Sequence, residues 1–417
     1  MRHVPTNSSS THTPSIVGPG GAEAPTLSRV LEVLDGAEAR AGERVPQRIS
    51  TSLAGLSDML AELFAEVHAS RVMLVVDRGA LEATGAEAEL RASLGDTLAA
   101  EFDAFTPNPT SDQAAAAARL GAASGVDAVV AFGGGSCLDV AKVSALSVRD
   151  PARAVEHSVG GDARGASPIP VIAIPTTSGT GSETTHFASI YVKGKKASVA
   201  HPAIRPWGVV LDEVLHRSMP RALAACTGLD ALCHAVESRW AAGATPASRG
   251  YAEEAARLAR AHLEPSVLRV QDEDRRAMML ASHLAGRAIN ISKTTLAHAI
   301  SYDITQRTGT PHGLAVALTL GHVAAMNAAE NGSSSASKGA IEAVHAAVRP
   351  LGVEPDQMPG YMRGLISTLG LPSTLSQAGV TAEMLPGIAA SVDPLRASNN
   401  PRRFTIGAIR EMLARAF

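Results

Sequence analysis

Three short runs in the first half of the chain do most to restrict its fold. Val72–Val76, Asp127–Phe132 and Val171–Ile174 are short and almost entirely apolar, which is typical of strands buried in a parallel sheet. Helical patterns at Leu53–Ala69 and Gln113–Ser124 alternate with these runs. The alternation predicts a doubly wound, Rossmann-like α/β domain, in which ligands gather at the carboxyl ends of the strands.

The remainder of the chain follows other patterns. Ile190–Val199 carries Lys193-Gly194-Lys195 between two strand-like runs, which predicts a hairpin. After about Met219 the strand pattern stops, and Ala-rich helical patterns predict an all-α C-terminal domain, with the active site between the two domains. The first residues are rich in Ser, Thr, Pro and Gly, which predicts a flexible extension. We therefore expect a flexible extension at 1–40, a dinucleotide-binding α/β domain at 41–217 and a helical metal-binding domain at 218–417.

Two separated clusters supply side chains of the kind that bind a divalent metal. Asp230 and His234 are four residues apart, so on a helix both lie on one face, one turn apart. His298 and His312, the second within a Pro-His-Gly turn, add two imidazoles. One carboxylate and three imidazoles would hold zinc or ferrous iron and leave room for a substrate oxygen. Cys233 is an alternative ligand, but the Asp and the three His already suffice.

The segment 228–237, His298 and the Pro-His-Gly turn at 311–313 resemble the metal-binding signatures of the iron-containing (group III) alcohol dehydrogenases. The resemblance extends from about Val45 to the middle of the C-terminal half. It implies an NADH- or NADPH-dependent alcohol dehydrogenase or aldehyde reductase, with the architecture that dehydroquinate synthases share. It also implies that the metal, Fe(II) or Zn(II), is bound by Asp230, His234, His298 and His312.

Two glycine-rich turns are candidates for the cofactor site. Gly133–Ser136 follows a strand and precedes a helical run, Leu138–Leu146, so that backbone N–H groups and the helix dipole can bind a pyrophosphate. Asp139 would then lie in the first helical turn. By themselves this turn and the Thr-rich loop Pro175–Glu183 are equally compatible with a tight turn and a solvated loop. The family resemblance implies that they contact the cofactor, together with a lysine near its ribose, through Gly134, Gly135, Ser136, Asp139, Thr176, Thr177, Thr180, Ser182 and Lys196.

Asp77 lies at the end of the run Val72–Val76 and bears on the choice of cofactor. A carboxylate there can accept hydrogen bonds from the adenosine ribose 2′-hydroxyl and would repel a 2′-phosphate. Arg78 could instead attract that phosphate. The sequence favours NADH and leaves NADPH open.

The chain departs from the common family pattern after His298. Many members have a further histidine four residues later that is thought to help deliver a proton, and here that position holds Tyr302. Tyr302 could donate the proton, or the cofactor ribose and water could do so. A tyrosine that only packs is an equal alternative.

The run Asn290–Thr295 places a cation and hydroxyls before His298. If it is helical, Thr294 lies one turn before His298, roughly 6 Å along the axis, and Lys293 reaches the same pocket. Arg287, about 16 Å away by the same rule, contributes only if the helix breaks. These side chains predict a substrate with an anionic tail, although Lys293 and Arg287 could be ordinary solvated charges. The candidate substrate-binding residues are Asn108, Arg287, Asn290, Ser292, Lys293 and Thr294.

The pattern NISKTTxxHAxSY resembles the phosphonoacetaldehyde reductase branch of this family. Those enzymes reduce phosphonoacetaldehyde to 2-hydroxyethylphosphonate in the biosynthesis of phosphonate natural products, antibiotics among them. Asn108 and His186 match positions that line the substrate cleft in relatives, and His186 and Tyr302 are the candidate catalytic residues. We therefore predict metal-dependent, NAD(P)H-linked reduction of a small anionic aldehyde.

Three alternatives stay open at this point. The enzyme could be an NAD-dependent alcohol dehydrogenase for a neutral alcohol or diol. It could be a lyase like the dehydroquinate synthases, although their ligand pattern differs. It could also be a non-catalytic metal-binding relative, against which the complete ligand set argues.

Composition excludes other classes of function. The chain has 45% apolar and 18% charged residues and a net charge of −3, which gives no general attraction to nucleic acid or to anionic membranes. No apolar run approaches the roughly 20 residues that span a bilayer. Three cysteines are too few for a disulfide framework and favour a reducing compartment. We expect a cytoplasmic homodimer.

Overall fold

The computed structural model describes residues 47–153, 166–329 and 338–417 of the chain. The extension predicted at 1–40 and the first residues of the domain predicted at 41–217 lie outside the described residues. The boundary expected near residue 217 falls between a last strand that ends at Val210 and a long helix that begins at Arg221. The domain bounds themselves stay a prediction.

Parallel strands form the centre of the N-terminal part. The main sheet consists of β1 Arg48–Ser50, β2 Val72–Val76, β3 Leu98–Phe102, β4 Ala128–Gly133, β5 Val171–Pro175 and β8 Gly208–Val210. Two further strands, β6 Phe187–Val192 and β7 Lys195–Ala200, form a separate hairpin. The six strands lie in the order β1–β8–β5–β4–β2–β3, and each neighbouring pair is parallel. The doubly wound α/β fold is thus confirmed, and the three predicted runs form β2, β4 and β5.

Helices cover both faces of this sheet. They are α1 Leu56–Val67, α2 Arg78–Thr84 and α3 Glu87–Leu94 on one face, and α4 Ser111–Ala123 and α5 Gly135–Ser147 on the other. Successive residues of a strand point to opposite faces, so Leu74 and Val130 enter one core while Met73 and Val129 enter the other. Because both faces are buried, the inner strands are apolar at every position.

The sequence did not predict the outer strands β1, β3 and β8. β1 and β8 have only three residues each, and β1 is half-buried throughout. In β3 only Phe102 is buried, and the strand includes Glu101. Strands that are short or half-exposed lack the continuous apolar run that identified the inner three.

The order of the strands creates a crevice at the carboxyl ends of β2 and β4. β2 and β4 are neighbours in the sheet. The chain continues from β2 to β3 on one side of this pair and from β4 to β5 on the other side, so the two connections diverge. Asp77 follows β2 and Gly133 ends β4 at this point. A Cβ atom added to Gly133 would be only 2.9 Å from the Cβ of Asp77, which shows how closely the two loops approach.

The hairpin is confirmed, with a tighter turn than expected. Val192 pairs with Lys195, so Lys193 and Gly194 alone form the turn. Both have positive φ, 48° and 75°, as the two central residues of a type I′ turn require. The buried side of the hairpin packs against α5.

From Arg221 onward the described residues form helices and connecting turns, which confirms the predicted helical C-terminal part. The helices are α6 Arg221–Trp240, α7 Pro246–Leu268, α8 Asp272–Ser292, α9 Leu296–Thr308, α10 His312–Ala328, α11 Lys338–Val348, α12 Met358–Thr368, α13 Leu385–Ser391, α14 Pro394–Ala397 and α15 Ile406–Ala416. They enclose one apolar core. Within the described ranges, none of the helices combines the length and the hydropathy that crossing a membrane requires.

The segment from Asn290 to His298, for which the sequence left both a continuous helix and a break open, is interrupted. α8 ends at Ser292, and α9 begins only at Leu296. Between them Lys293 has φ 63° and ψ 177°, which turns the chain out of the helix. The placement of Thr294 one helical turn before His298 is therefore wrong.

The loop after β5 packs directly on the backbone of α8. Gly181 has φ 61°, and a Cβ atom there would be 2.4 Å from the Cα of Gly286. A Cβ atom on Gly286 would in turn be 2.7 Å from the Cα of Gly181. Glycine at both positions therefore allows the two parts of the molecule to meet.

Gly181→Ala should lower the free energy of unfolding by about 2–4 kcal/mol, because left-handed strain and a clash with helix backbone add together. Gly85→Ala is the matched control. Its φ is 68° and its Cβ atom would meet nothing within 4 Å, so only strain of about 1–2 kcal/mol applies. Urea unfolding of both variants measures the difference, and equal losses would contradict the close packing of the loop on α8.

Candidate active site

The four predicted metal ligands converge from three helices. Asp230 and His234 lie on α6, His298 lies in the first turn of α9, and His312 is the first residue of α10. Oδ1 of Asp230 is 3.6 Å from Nε2 of His298 and 3.9 Å from Nε2 of His234. Ligand atoms of Asp230, His298 and His312 all lie within 4.8 Å of one another. The His234 ring stacks on that of His298, with 4.5 Å between centroids.

Gly313 explains why the fourth ligand comes from a Pro-His-Gly turn. A Cβ atom at Gly313 would be 2.1 Å from the carbonyl oxygen of Cys226 and 2.8 Å from the Cβ of Asp230. Only glycine therefore lets the start of α10 touch the backbone of α6. This contact brings His312 beside Asp230.

Each imidazole is oriented through its Nδ1 atom, which leaves Nε2 to face the centre of the cluster. Such contacts fix the tautomer and the ring orientation of a metal-ligating histidine. The partners of Nδ1 are the carbonyl oxygen of Gly179 for His234 (3.3 Å), the carboxylate of Glu237 for His298, and the hydroxyl of Ser301 for His312 (3.3 Å).

Two buried atoms at the centre of the cluster lack hydrogen-bond partners within the described part of the chain. They are Oδ1 of Asp230 and Nε2 of His298. A buried polar atom without a partner costs about 1–3 kcal/mol, so these two atoms call for a ligand. A carboxylate with three imidazoles is a donor set that suits Fe²⁺ or Zn²⁺. The residues therefore fit a divalent metal ion.

Glu237 supports the cluster, and the sequence reasoning assigned it no role. It lies fully buried on α6, seven residues after Asp230 and three after His234, on the same helix face. Its carboxylate binds Nδ1 of His298 and accepts hydrogen bonds from the backbone N–H groups of Thr295 (3.2 Å) and Ala297 (2.8 Å). That i, i+4, i+7 spacing was the signal that could have identified it.

Burial and the neighbouring charges shift the pKa values of all four side chains of the cluster. Burial alone would raise the pKa of Asp230, but the nearby His234 and His298 hold it well below its ordinary value. Burial lowers the pKa of His234 to about 4. Burial would also lower the pKa of His298, but Glu237 and Asp230 raise it to about 9. Burial and Lys196 hold the pKa of His312 well below its ordinary value.

The glycine turn after β4 and the Thr-rich loop after β5 pack against each other. A Cβ atom on Gly134 would be 3.2 Å from Thr177, and one on Gly135 would be 2.7 Å from Thr180. The glycines of the turn carry no side chains, and α5 begins within the turn, at Gly135, with Ser136 in its first turn. This geometry presents backbone N–H groups at a helix N-terminus, as a pyrophosphate site requires.

Asp139 holds the two loops together rather than lying in the first helical turn. α5 begins at Gly135, three residues earlier than predicted, so Asp139 lies in the second turn and faces inward. It accepts hydrogen bonds from the Ser182 hydroxyl (2.6 Å) and the Ser189 N–H (2.8 Å). Burial raises the pKa of Asp139, and Lys142 opposes that shift.

Lys142, which the sequence reasoning missed, completes this buried network. It is fully buried and donates hydrogen bonds to the Ser182 hydroxyl and carbonyl and to the Thr185 hydroxyl, at 2.9–3.0 Å. Burial lowers its pKa to about 8, while Asp139, 3.9 Å away, opposes the shift. A single lysine within a helical run gives no signal that it points inward.

The two residues after β2, Asp77 and Arg78, both form polar contacts within the protein. Asp77 caps α2, since its Oδ1 accepts a hydrogen bond from the Ala80 N–H (3.1 Å), and it lies half-buried beside the glycine turn. Arg78 forms ion pairs with Glu101 and Asp103 of the neighbouring β3 connection. The cationic group that could attract a 2′-phosphate is thus already paired.

Both halves of the chain match known sequence families. Residues 48–213 match the family model for iron-containing alcohol dehydrogenase, and residues 224–417 match the C-terminal model of Fe-containing alcohol dehydrogenases. The chain belongs to the iron-containing alcohol dehydrogenase family. It is therefore an oxidoreductase of the alcohol dehydrogenase type, as the metal and glycine motifs predicted.

Individual relatives agree with this assignment. The dehydrogenase is 34% identical over 323 residues to phosphonoacetaldehyde reductase from Streptomyces viridochromogenes, covering 73% of this chain and 79% of the relative. It is 28% identical over 357 residues to NAD-dependent methanol dehydrogenase from Bacillus methanolicus, covering 84% and 93%. The structure of sulfoacetaldehyde reductase from Bifidobacterium kashiwanohense in complex with NAD+ has a TM-score of 0.78 at 28% identity, covering 89% and 96%.

In this dehydrogenase Tyr302 lies against His312 of the predicted metal cluster and between two cations. Its ring is parallel to that of His312, with 5.6 Å between centroids, and Nζ of Lys196 is 4.2 Å from the ring centre. Arg396 donates a hydrogen bond to the Tyr302 hydroxyl (3.1 Å). Burial raises the pKa of Tyr302 although Arg396 opposes the shift, so the phenol stays protonated at neutral pH. Burial lowers the pKa of Lys196 to about 8.

His186, Asn290 and Lys293 form a second polar cluster. Oδ1 of Asn290 accepts from the His186 backbone N–H (2.8 Å) and from its Nδ1–H (2.6 Å). Nε2 of His186 is then left to accept from Nζ of Lys293 (3.1 Å). Burial and Lys293 lower the pKa of His186 to about 4, so the ring is neutral. Burial lowers the pKa of Lys293 to about 8, which leaves it mostly cationic at neutral pH.

The other predicted substrate residues differ in their exposure and in their hydrogen-bond partners. Asn108 is exposed, with φ 59°. The hydroxyl of Ser292 donates to the carbonyl oxygen of Ala288 in α8 and to that of Lys293 in the bend. The carbonyl oxygen of Thr294 accepts a hydrogen bond from Nδ2 of Asn399. Arg287 is buried, donates to Nε2 of His283 (3.0 Å) and lies 6.0 Å from the Tyr251 ring. Because α8 breaks only after Ser292, Arg287 stays on its core face, and these contacts do not support its predicted role.

Glu237→Gln should weaken metal binding about 10- to 100-fold, because the neutral amide no longer supports the His298 imidazole. Competition with a chelator, followed by measurement of metal per chain, gives the change without an activity assay. Glu253→Gln on the exposed side of α7 is the control and should match the unchanged protein. Equal metal retention in all three proteins would contradict the supporting role of Glu237.

Proposed function

We propose that this dehydrogenase reduces a small aldehyde that carries an anionic group, and that phosphonoacetaldehyde, reduced to 2-hydroxyethylphosphonate, is the favoured substrate. The observation that carries the proposal is the ammonium group of Lys293, 3.1 Å from Nε2 of His186, at the bend that precedes the helix of His298. A cation at this bend would bind the anionic end of an aldehyde whose carbonyl group lies at the ligand cluster.

In this proposal Asp230, His234, His298 and His312 hold a divalent ion, with ferrous iron preferred to zinc because the chain belongs to the iron-containing family. The ion supplies Lewis acidity toward a carbonyl oxygen, and a bound nicotinamide supplies hydride. The two glycine-rich loops hold the cofactor, through the backbone of the first and the hydroxyls of the second. Side chains of this chain bind and orient the aldehyde, and one of them holds the proton that the product alcohol requires.

Tyr302 is the group proposed to keep that proton. Its hydroxyl oxygen accepts the hydrogen bond of Arg396, so its own O–H is left to donate. The raised pKa of Tyr302 keeps the phenol protonated until alkoxide charge develops beside it. Neutral His186 instead positions Lys293, with Asn290 fixing its tautomer.

The class of substrate follows from the chemistry of the ammonium group. Phosphonate oxygens accept charge-assisted hydrogen bonds, which are roughly twice as strong as neutral ones. Two of the relatives are named for aldehydes that carry a phosphonate or a sulfonate group. We propose a place in phosphonate or antibiotic biosynthesis on the same grounds.

NADH is the proposed cofactor, with NADPH second. The carboxylate of Asp77 at the end of β2 would accept a hydrogen bond from the ribose 2′-hydroxyl and would repel a 2′-phosphate. Arg78 is occupied by Glu101 and Asp103, so it does not offset that repulsion.

A neutral alcohol or diol is the second candidate substrate. The observation in its favour is that Nζ of Lys293 lies 4.3 Å over the Phe187 ring, so the ammonium group already has an aromatic partner. The methanol dehydrogenase relative is named for a neutral alcohol. A panel of anionic and neutral aldehydes under one assay condition separates the two candidates.

We also propose that the enzyme works in the cytoplasm as a homodimer, with no nucleic-acid or membrane partner. Its three cysteines are free and buried, which suits a reducing compartment. Analytical ultracentrifugation tests the dimer, and a monomer at micromolar concentration would contradict it.

Lys293→Ala should raise KM for phosphonoacetaldehyde about 10- to 100-fold, since a hydrogen bond to a charged group contributes about 1.5–3 kcal/mol. KM for propionaldehyde should change much less. Lys193→Ala is the control, because Lys193 is also a positive-φ lysine but lies in the exposed hairpin turn. Equal effects of Lys293→Ala on both aldehydes would remove the anionic substrate from the proposal.

Asp77→Ser should raise the ratio of kcat/KM for NADPH to that for NADH by about 10-fold or more, because the charge that repels a 2′-phosphate is lost. Serine still caps α2, so the local fold is kept. Asp58→Ser on the exposed face of α1 serves as the control. An unchanged ratio would show that Asp77 does not discriminate between the two cofactors.

A further inference from the structure

Lys293 adopts a backbone conformation that is nearly confined to glycine. Its φ of 63° with ψ of 177° lies outside the left-handed helical region, in the part of φ/ψ space that side chains strongly disfavour. Such a residue persists only where its surroundings determine the conformation. The contacts around Lys293 should therefore identify what holds it.

One side chain binds the carbonyl groups of the residues immediately before and after Lys293. Nδ2 of Asn399 donates to the carbonyl oxygens of Ser292 (2.7 Å) and Thr294 (2.9 Å). Oδ1 of Asn399 accepts from the N–H of Gly243 (3.0 Å), in the turn that follows α6. Both donors and the acceptor of the amide are therefore used, and the bend is joined to the helical core.

No other side chain offers this combination at this length. Aspartate has the same shape but no donors, and glutamine has the donors on a longer stem. The bound carbonyl groups of Ser292 and Thr294 lie on either side of Lys293, so they restrain the backbone between them from relaxing into an ordinary conformation. Its side chain then leaves the bend toward Nε2 of His186 and the Phe187 ring.

We propose that Asn399 is a positioning residue that holds Lys293 in its glycine-like conformation and thereby directs the ammonium group toward the anionic end of the substrate. The part concerning the substrate rests on the proposed function. The part concerning the backbone does not.

Melting temperatures of the full-length, metal-loaded enzyme test the backbone part. Lys293→Gly and Lys293→Ala both lack the ammonium group, but only glycine fits this conformation without strain. Lys293→Gly should therefore melt about 1–4 °C higher than Lys293→Ala. When Asn399→Ala is added to each, the bend relaxes and the order should reverse, because glycine then only adds entropy to the unfolded chain.

Substrate preference tests the positioning part. Asn399→Ala should lower the ratio of kcat/KM for phosphonoacetaldehyde to that for propionaldehyde at least about 10-fold, mainly through KM. Added to Lys293→Ala, it should change that ratio less than about twofold, because residues that act as one unit are not additive. Asn400→Ala is the matched control, since it breaks the neighbouring amide pair with Asn327 and should leave the ratio unchanged.

The outcomes are distinct. If Lys293→Gly still melts above Lys293→Ala after Asn399→Ala is added, Asn399 does not hold the bend. If the ratio of kcat/KM for the two aldehydes is unchanged in Asn399→Ala, Asn399 does not position the ammonium group. A ratio unchanged in Lys293→Ala removes the anionic substrate and the positioning with it, while the melting order still decides whether Asn399 holds the bend. The expected reversal of melting order together with the fall in ratio supports the whole proposal.

Discussion

The buried carboxylate of Glu237 is the group on which the geometry of the site depends. It fixes Nδ1 of His298, and it also accepts hydrogen bonds from the N–H groups of Thr295 and Ala297, which are the first orphan donors of α9. Thr295 makes no cap of its own. A residue of α6 therefore supplies the N-terminal cap of α9, where a negative charge also meets the positive end of the helix dipole. One carboxylate thus fixes both His298, a proposed metal ligand, and the point at which the helix restarts.

The bend before that restart is consequently held from two sides. Glu237 binds the residues that follow it, and Asn399 binds the carbonyl groups that flank Lys293. Trp240 adds a hydrogen bond from its Nε1 to the Thr295 hydroxyl (2.9 Å). Strained backbone of this kind is concentrated at functional sites, where the surrounding contacts maintain it. Here the strained residue is also the cation that donates a hydrogen bond to the neutral His186.

What could be predicted from the sequence follows from how local each signal is. The run Val72–Val76 predicted a strand because a buried parallel strand is apolar throughout, and Asp230 with His234 predicted a shared helix face from spacing alone. The bend at Lys293 was missed because it contains neither glycine nor proline, and its cause, Asn399, lies 106 positions later in the chain. Lys142 was missed for the same reason, since its partners belong to a distant loop.

The loop between Pro175 and Glu183 shows why the two halves of the site cannot be considered separately. The carbonyl oxygen of Gly179 orients His234, the Thr180 side chain packs against Gly135 of the glycine turn, and Gly181 lies against the backbone of α8. A displacement of this loop by a group bound at the glycine turn would therefore move the hydrogen-bond partner of His234, a proposed metal ligand. By linkage, any such effect of the cofactor on metal affinity must be matched by an equal effect of the metal on cofactor affinity. The contact of Gly181 with Gly286 would make such a coupling stiff, because a direct backbone contact leaves no side-chain torsion to absorb the movement.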